Sequence, residues 1–519
     1  MRIRTSILLA IIILSGFILR VWDIGNNPPG FFADEASIGY NAYSILHYGS
    51  DEYDKPFPFF FQAFGEYKSP IEIYSTIPSV VLFGLNEFSV RLTSVFLGTL
   101  CILAIYLPTK EIFKKNRNNE WIGLFSSFFL VISPWHIHFS RASFEGFMPL
   151  LLFTTLALYF FLKSLKKPHL LPISIILFAL SIYTYFPARI FIPLFGILLA
   201  ILYFKFFLKY FKITLFSILL LLLMLTPLIY FTLSPVGFAR WNQVNILSQP
   251  PQEGTVLKHI VDNYFSHFSL DFLFLKGDID MPGQFITRHS VQGMGNLCLI
   301  QLPLIILGFL YLFLKKAKRV FAIIVLWLVL YPIGSMFTID KSAQATRSII
   351  GVIPFQILSG IGLYYLMSLL AKLNKYLYTI SIIDIGVIFI VSFMNYLNLY
   401  FVKYPLYSSD FWGWQYGPRE IMRYFLTVKD QYDDLYMSGE FNAGHIFLSF
   451  YDPENTCESK CKMGDFFREP RIYNPSKRQL FSLSPDYLSK SNFAKDFFVK
   501  KTIYYPNGNI AFQIGEILK

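Results

Sequence analysis

Long apolar runs alternate with short polar connections over the first 400 residues. Runs such as ILLAIIILSGFIL, FGILLAILYF, ITLFSILLLLLMLTPLIYF and IIDIGVIFIVSF dominate this part of the chain. Several reach the roughly 20 residues that cross a hydrocarbon core of about 30 Å. In lipid such a run must be a helix, because its backbone polar groups find no water to bond. The pattern predicts eleven spans, near 5–22, 89–108, 119–134, 146–163, 170–187, 189–208, 212–233, 297–314, 319–338, 347–371 and 376–402. The first run reads as a retained span rather than a signal peptide. It lacks a small-residue cleavage site, and the bulky Val21 and Trp22 follow it.

The polar segments carry patterns of their own. In residues 23–88, NAYSILHYG has helical apolar spacing, and SPIEIYSTIPSVVLFG reads as an amphipathic helix suited to the interface. The segment 234–296 holds Trp241, a Pro250-Pro251 pair and the aromatic run NYFSHFSLDFLFL. Beyond residue 403 the chain becomes more polar. It predicts a helix at PREIMRYFLTVKD, a strand at DDLYMSG and a hairpin at KKTIYYPNGNIAFQI, turning at Asn507-Gly508. No fixed-period repeat is present. The reading is a polytopic α-helical membrane protein over 1–402, followed by a small α/β extracytoplasmic domain over 403–519.

Composition agrees: 54% of the chain is hydrophobic and 15% charged, against about 25% charged in a soluble domain. Charge then sets orientation. Every second connection is short and basic: Arg2 and Arg4; Lys110, Lys114, Lys115 and Arg117; Lys163, Lys166 and Lys167; Lys205, Lys209 and Lys212; Lys315, Lys316, Lys318 and Arg319; Lys372 and Lys375. The segment 23–88 holds two lysines, Lys55 and Lys68, against nine acids. By the positive-inside rule the N-terminus is cytoplasmic, and 23–88, 234–296 and 403–519 lie outside. The net charge of +12 is therefore an insertion signal, and nucleic acid is not a partner. Paired spans and short loops suit a bacterial plasma membrane; an endoplasmic reticulum membrane fits the same pattern. Cys457 and Cys461 lie on the outside, where a disulfide can form. Without a nearby His they make half a zinc site.

Candidate chemistry gathers in the outside segments. Asp34 and Glu35 open an apparent helix, ASIGYNAYSIL, which fits an N-cap and a first-turn acid. Capping does not exclude catalysis. A carboxylate desolvated at the membrane boundary has a raised pKa, which suits a general base acting on a hydroxyl. Lys68 lies in the same segment. Glu87 with Arg91, and Arg141 with Glu145, are spaced to pair on one helical face. Arg189 and Arg347 stand at outside ends of spans. Cations at that depth suit an anionic lipid headgroup, and each alone also fits an interface anchor. The aromatic run FPFFFQAF at 57–64 fits either an interface belt or a wall for a long lipid chain.

The ordered set PPGFFADEASIGYNAYSIL, FGEYKSPIEIY and LFGLNEFSVRL, with a late ATRSIIGVIP, resembles the large membrane glycosyltransferases of the GT-C fold. Within them it is most similar to the protein O-mannosyltransferase-like group (glycosyltransferase family 39), with the lipid A aminoarabinose transferases as cousins. The resemblance implies an inverting hexosyl- or pentosyltransferase, taking its sugar from a polyprenyl-phosphate donor in the membrane. The acceptor would be a hydroxyl or phosphate of a protein, glycan or lipid. It places the base on Asp34, with Glu35 beside it. It places Lys68 near the donor phosphate and Arg347 on the lipid phosphate. Arg91, Arg141 and Arg189 join these as substrate-binding candidates. Glu145 takes the place of an acid that binds a divalent metal, orients the acceptor, or only pairs with Arg141. Members differ in metal need, so no cofactor is carried over. Two rivals are a transporter, which needs charges or broken helices near the midplane, and a non-catalytic scaffold of envelope assembly.

Overall fold

The computed structural model describes residues 2–114, 119–248, 255–278, 287–340, 342–410, 413–464, 472–491 and 493–518. Lys115, Arg117 and the Pro250-Pro251 pair lie outside them. A helix stands at each of the eleven predicted positions. Seven are long and apolar enough to cross a membrane: α1 (Arg2–Val21), Glu87–Ile112, Phe147–Ser164, Phe211–Thr232, Lys318–Met336, Ile349–Leu370 and Lys375–Tyr407. An eighth is a pair, Glu120–Val131 and Pro134–Ser140, bent by 60°. Pro134 has no N–H with which to continue the preceding helix. Ser133 caps the new one, its Oγ accepting from His136 N at 3.4 Å. The other three, Pro168–Ile182, Ala188–Leu202 and Gln301–Leu314, are shorter than the predicted spans. The first two are separated by a turn at 183–187 that ends on Pro187, where the apolar run alone gave no stop.

The segment between α1 and the next span is built, not draped. It contains α2 (Ala33–Tyr48), the hairpin β1 (Phe61–Ala63) and β2 (Glu66–Lys68), and α3 (Pro70–Phe83), then enters α4 (Glu87–Ile112). The aromatic run therefore becomes a hairpin. Its turn residues Phe64 and Gly65 both take positive φ, 51° and 82°, as a tight two-residue turn requires. Phe60 stacks on Phe231 with centroids 4.1 Å apart, and Phe61 is buried, whereas Phe57 and Phe59 are exposed.

After residue 403 the chain forms the predicted helix (Pro418–Val428) and a five-stranded sheet. Its strands are β3 (Asp434–Ser438), β4 (Cys461–Gly464), β5 (Gln479–Leu483), β6 (Phe497–Tyr504) and β7 (Ile510–Ile517), in the order β4-β3-β5-β7-β6. β3 runs parallel to β4 and β5; β7 runs antiparallel to β5 and β6. Cys457 and Cys461 are joined in a disulfide. This region has a small apolar cluster of its own around Phe481, Leu483 and Tyr487, but shares a larger one. Phe31, Ala36 and Ala42 of the α2 segment share one cluster with Phe425, Leu435, Met437, Phe450 and Ile514.

Two ends of the bundle are distinct. At one, Lys110 pairs with Glu120 at 2.9 Å, Lys163 lies 3.7 Å from Glu111, and Thr5 of α1 donates to Glu120. At the other, 23–88, 234–248, 287–296 and the C-terminal sheet meet. Gln243 donates to Gly65 O at 3.0 Å, and Arg189 to Ser69 Oγ at 3.3 Å.

Candidate active site

A cleft of about 350 Å³ opens where these segments meet. Asp34 lines it from the first turn of α2. The residue preceding this helix is Phe32, so Asp34 is not the cap; Glu35 reaches back instead, its Oε2 accepting from Phe32 N at 3.3 Å. Lys68, at the end of β2, places Nζ 2.9 Å from Asp34 Oδ1. Lys68 is 2% exposed and Asp34 28%, so the carboxylate faces the cleft while its counter-ion is sealed beneath it. The Lys68 Nζ also sits 4.9 Å over the ring of Phe64, the residue whose positive φ makes the hairpin turn. Burial works to raise the Asp34 pKa, as expected from the sequence, but Lys68, Arg288 and Arg240 outweigh it and hold the carboxyl below its ordinary range. Asp34 is thus a fixed carboxylate, not one poised near neutrality.

Glu35 does not line the cleft. It is 1% exposed and accepts two bonds from Arg91, Nε to Oε1 at 2.9 Å and Nη2 to Oε2 at 2.8 Å. Ser143 N adds a third at 3.0 Å. Arg91 also donates to the carbonyls of Ile24, Pro28 and Gly30. Its partner is therefore not Glu87, four residues away, which binds Tyr451 Oη at 2.8 Å and lies 3.7 Å from Arg419. Arg141 likewise does not pair with Glu145. It donates to the carbonyls of Leu19, Arg20, Trp22 and Asn27, stitching the end of α1 to the following loop. The expectation that Glu35 acts beside Asp34, and that Arg91 and Arg141 touch substrate, is corrected on these contacts. All three clamp the loop that carries Asp34.

Glu145 does face the cleft. It precedes Gly146, whose φ of +65° starts the helix Phe147–Ser164 and whose Cα abuts Thr184 O too closely for a Cβ. Burial raises the Glu145 pKa, opposed by Arg240 and Lys68. Burial likewise pushes Glu66 up to about 7, with Glu145 adding to it and Arg240 opposing. Arg347 lines the same cleft and pairs with Asp340. Arg189 is not on the wall; its guanidinium lies over the rings of Phe60 and Phe186.

Two cleft arginines were not singled out in the sequence. Arg240 holds Glu66 Oε2 at 2.7 Å, and Arg288 lies 3.9 Å over the Phe32 ring. His138 Nε2, 2.6 Å from Arg288 O, fixes that turn. Both arginines come from 234–296, whose other cations are Lys258 and Lys276. A preference for arginine over lysine at phosphate sites was the available signal. Burial beside Arg288 and Arg347 holds His289, also on the wall, well below its ordinary range, so it is neutral. Among the described residues no group of three His, Cys, Asp or Glu is arranged to hold a metal ion.

The cleft thus sets the carboxylates of Asp34, Glu66, Glu145 and Asp340 among three guanidinium groups, with Asp34 the one held by the buried Lys68. Such a site can take a proton on a carboxylate and stabilise a phosphate with its guanidinium groups. Residues 68–231 match the family model of dolichyl-phosphate-mannose-protein mannosyltransferase. That span includes Lys68 and Glu145 but neither Asp34 nor the three cleft arginines. No curated protein matches the chain in sequence. Among solved structures the chain is similar to ArnT from Cupriavidus metallidurans in the apo state, with 13% identity and a TM-score of 0.56, covering 99% of this chain and 97% of that one. ArnT bound to undecaprenyl phosphate is similar at 13% identity and a TM-score of 0.51, covering 99% and 98%. The Archaeoglobus fulgidus oligosaccharyltransferase tethered to an acceptor peptide is similar at 12% identity and a TM-score of 0.53, covering 98% of this chain and 74% of that one. The fold is the GT-C fold of membrane glycosyltransferases.

Proposed function

We propose that this GT-C membrane protein transfers a sugar from a polyprenyl-phosphate donor to an acceptor hydroxyl, with inversion at the anomeric carbon. The observation that carries the reading is the shared cleft lined by Asp34 together with Arg240, Arg288 and Arg347, at the end of the bundle away from the basic connections. The undecaprenyl phosphate bound by ArnT and the family match over 68–231 support the donor class. The positive-inside pattern puts this end outside and the N-terminus in the cytoplasm.

In the reaction the acceptor oxygen attacks the anomeric carbon as the bond from that carbon to the phosphate oxygen breaks. Asp34 takes the hydroxyl proton. The arginines neutralise the charge that grows on the departing lipid phosphate. Lys68 keeps Asp34 ionised and aimed, at some cost in basicity.

Purified protein incubated with a polyprenyl-phosphate-linked radiolabelled sugar and an acceptor extract is expected to move label from lipid to acceptor. Sugar flux across vesicles without transfer would establish the transporter reading instead. Arg347→Ala is expected to weaken binding of polyprenyl phosphate by about 10- to 150-fold, the value of hydrogen bonds to a charged group. Unchanged affinity would remove Arg347 from the donor site.

Lys68→Met tests the electrostatics. Asp34 acts when ionised, and its pKa is held low, so the acid limb of the wild-type rate profile falls below the ordinary carboxylate value of about 4. Without Lys68 the burial is less opposed, and the limb is expected to move to higher pH. A limb that stays in place would show that Asp34 is not the titrating base.

A further inference from the structure

A second cavity, of about 330 Å³, lies at the carboxyl ends of the parallel strands β3 and β5. That is the low end of the range for small-molecule pockets, about 300–1,000 Å³. In sheets of this kind the carboxyl edge of the parallel strands is where ligands bind. Four rings line it: Tyr416, Phe441, Tyr505 and Phe512. Among them stands Glu440, whose Oε2 accepts from Ser438 Oγ at 2.8 Å and Oε1 from Ser484 Oγ at 3.0 Å. These two bonds aim the carboxylate and leave acceptor capacity over, since an ionised carboxylate has about four acceptor positions. Gln415 is 1% exposed, and its Oε1 has no hydrogen-bond partner among the described residues. A buried amide oxygen on a pocket wall is costly unless a ligand donates to it.

The chemistry selects the ligand. The Glu440 carboxylate on the wall disfavours a phosphate. A purely apolar chain would leave the Gln415 amide oxygen without a donor and would desolvate the Glu440 carboxylate. Burial, with Asp410 and Glu440 nearby, pushes the Tyr505 hydroxyl up to about 12, which keeps it a donor. Flat apolar faces ringed by acceptors and a hydroxyl match a pyranose, which has an apolar C–H face and hydroxyl groups around its rim.

The pocket is tied to the catalytic cleft at two places. Glu440 and Phe441 line the pocket, and the next residue, Asn442, lines the cleft. Gly30, four residues before Asp34, packs against the backbone of Trp414 and Tyr416 with no room for a Cβ. We propose that this pocket binds a neutral pyranose unit of the acceptor, so that the acceptor is a glycan or a glycosylated molecule. The proposal rests on the glycosyl-transfer reading for its role, and on the pocket alone for its ligand.

The test uses the full-length protein in detergent, without donor, and a panel of neutral methyl pyranosides and short neutral oligosaccharides. Saturation-transfer NMR and calorimetry are expected to detect binding of at least one. Glu440→Gln and Tyr505→Phe are expected to weaken it at least tenfold, with polyprenyl-phosphate binding unchanged. No saccharide binding, equal binding by both variants, or capture of serine/threonine peptides in the saccharides' place would overturn the proposal. Failure of sugar transfer with saccharide binding intact removes the transfer reading only. Transfer to a simple alcohol without saccharide binding removes the pocket proposal only.

Discussion

Asp34→Asn is expected to lower sugar transfer by about 10²–10⁴, the contribution typical of a positioned general base. Asn matches Asp in size and can still sit in the first turn of α2, but it cannot take the acceptor's proton. It also leaves the buried ammonium of Lys68 without its 2.9 Å partner. The lost rate must therefore be separated from lost stability. Thermal unfolding in detergent and polyprenyl-phosphate binding should be measured on the same preparation. The double variant Asp34→Asn/Lys68→Met, which removes the stranded charge, is expected to recover stability without recovering transfer. Wild-type transfer by Asp34→Asn would end the base assignment.

Glu35→Ala is expected to be the most damaging single change to folding, costing about 3–5 kcal/mol, because breaking a buried ion pair leaves an uncompensated charge. The abandoned charge is Arg91, fully buried and still held by three loop carbonyls. Two backbone donors, Phe32 N and Ser143 N, also lose their acceptor. The readout is the yield of monodisperse protein and its melting temperature, compared with Glu87→Ala, whose carboxylate lies 3.7 Å from Arg419 and accepts from the Tyr451 hydroxyl. If Glu35→Ala melts like the wild type yet loses transfer, Glu35 belongs to the chemistry after all and the clamp is not its role.

The membrane helices were legible because lipid leaves an apolar run one backbone solution. The same holds for the hairpin at Asn507-Gly508 and the helix at Pro418–Val428, where local turn chemistry and periodicity suffice. Pairings were not legible. Spacing pointed Arg91 at Glu87, but its partner is 56 residues away in sequence, and Arg141 spends its donors on carbonyls more than 110 residues away. An arginine with several donors satisfies them wherever the fold supplies oxygens, and no local rule names those places. The sign of the Asp34 shift was lost for a related reason. Desolvation follows from the membrane boundary alone, whereas the opposing charges of Lys68, Arg240 and Arg288 come from three separate stretches of chain. Asp34, Lys68, Glu145 and Arg347 do meet in or directly at one cleft, because alternating spans return every second connection to the same end.

The apolar cluster that joins α2 to the distant sheet imposes a timetable on biosynthesis. Phe31, Ala36 and Ala42 emerge early from the ribosome, yet Phe425, Leu435, Met437 and Ile514, which cover them, are translated hundreds of residues later. During that interval α2 has Ile73, Val80 and Val90 of α3 and α4 to pack on, while the flank that the C-terminal region covers stays open. The loop that carries Asp34 therefore reaches its final packing only when the last strand of the sheet has been made.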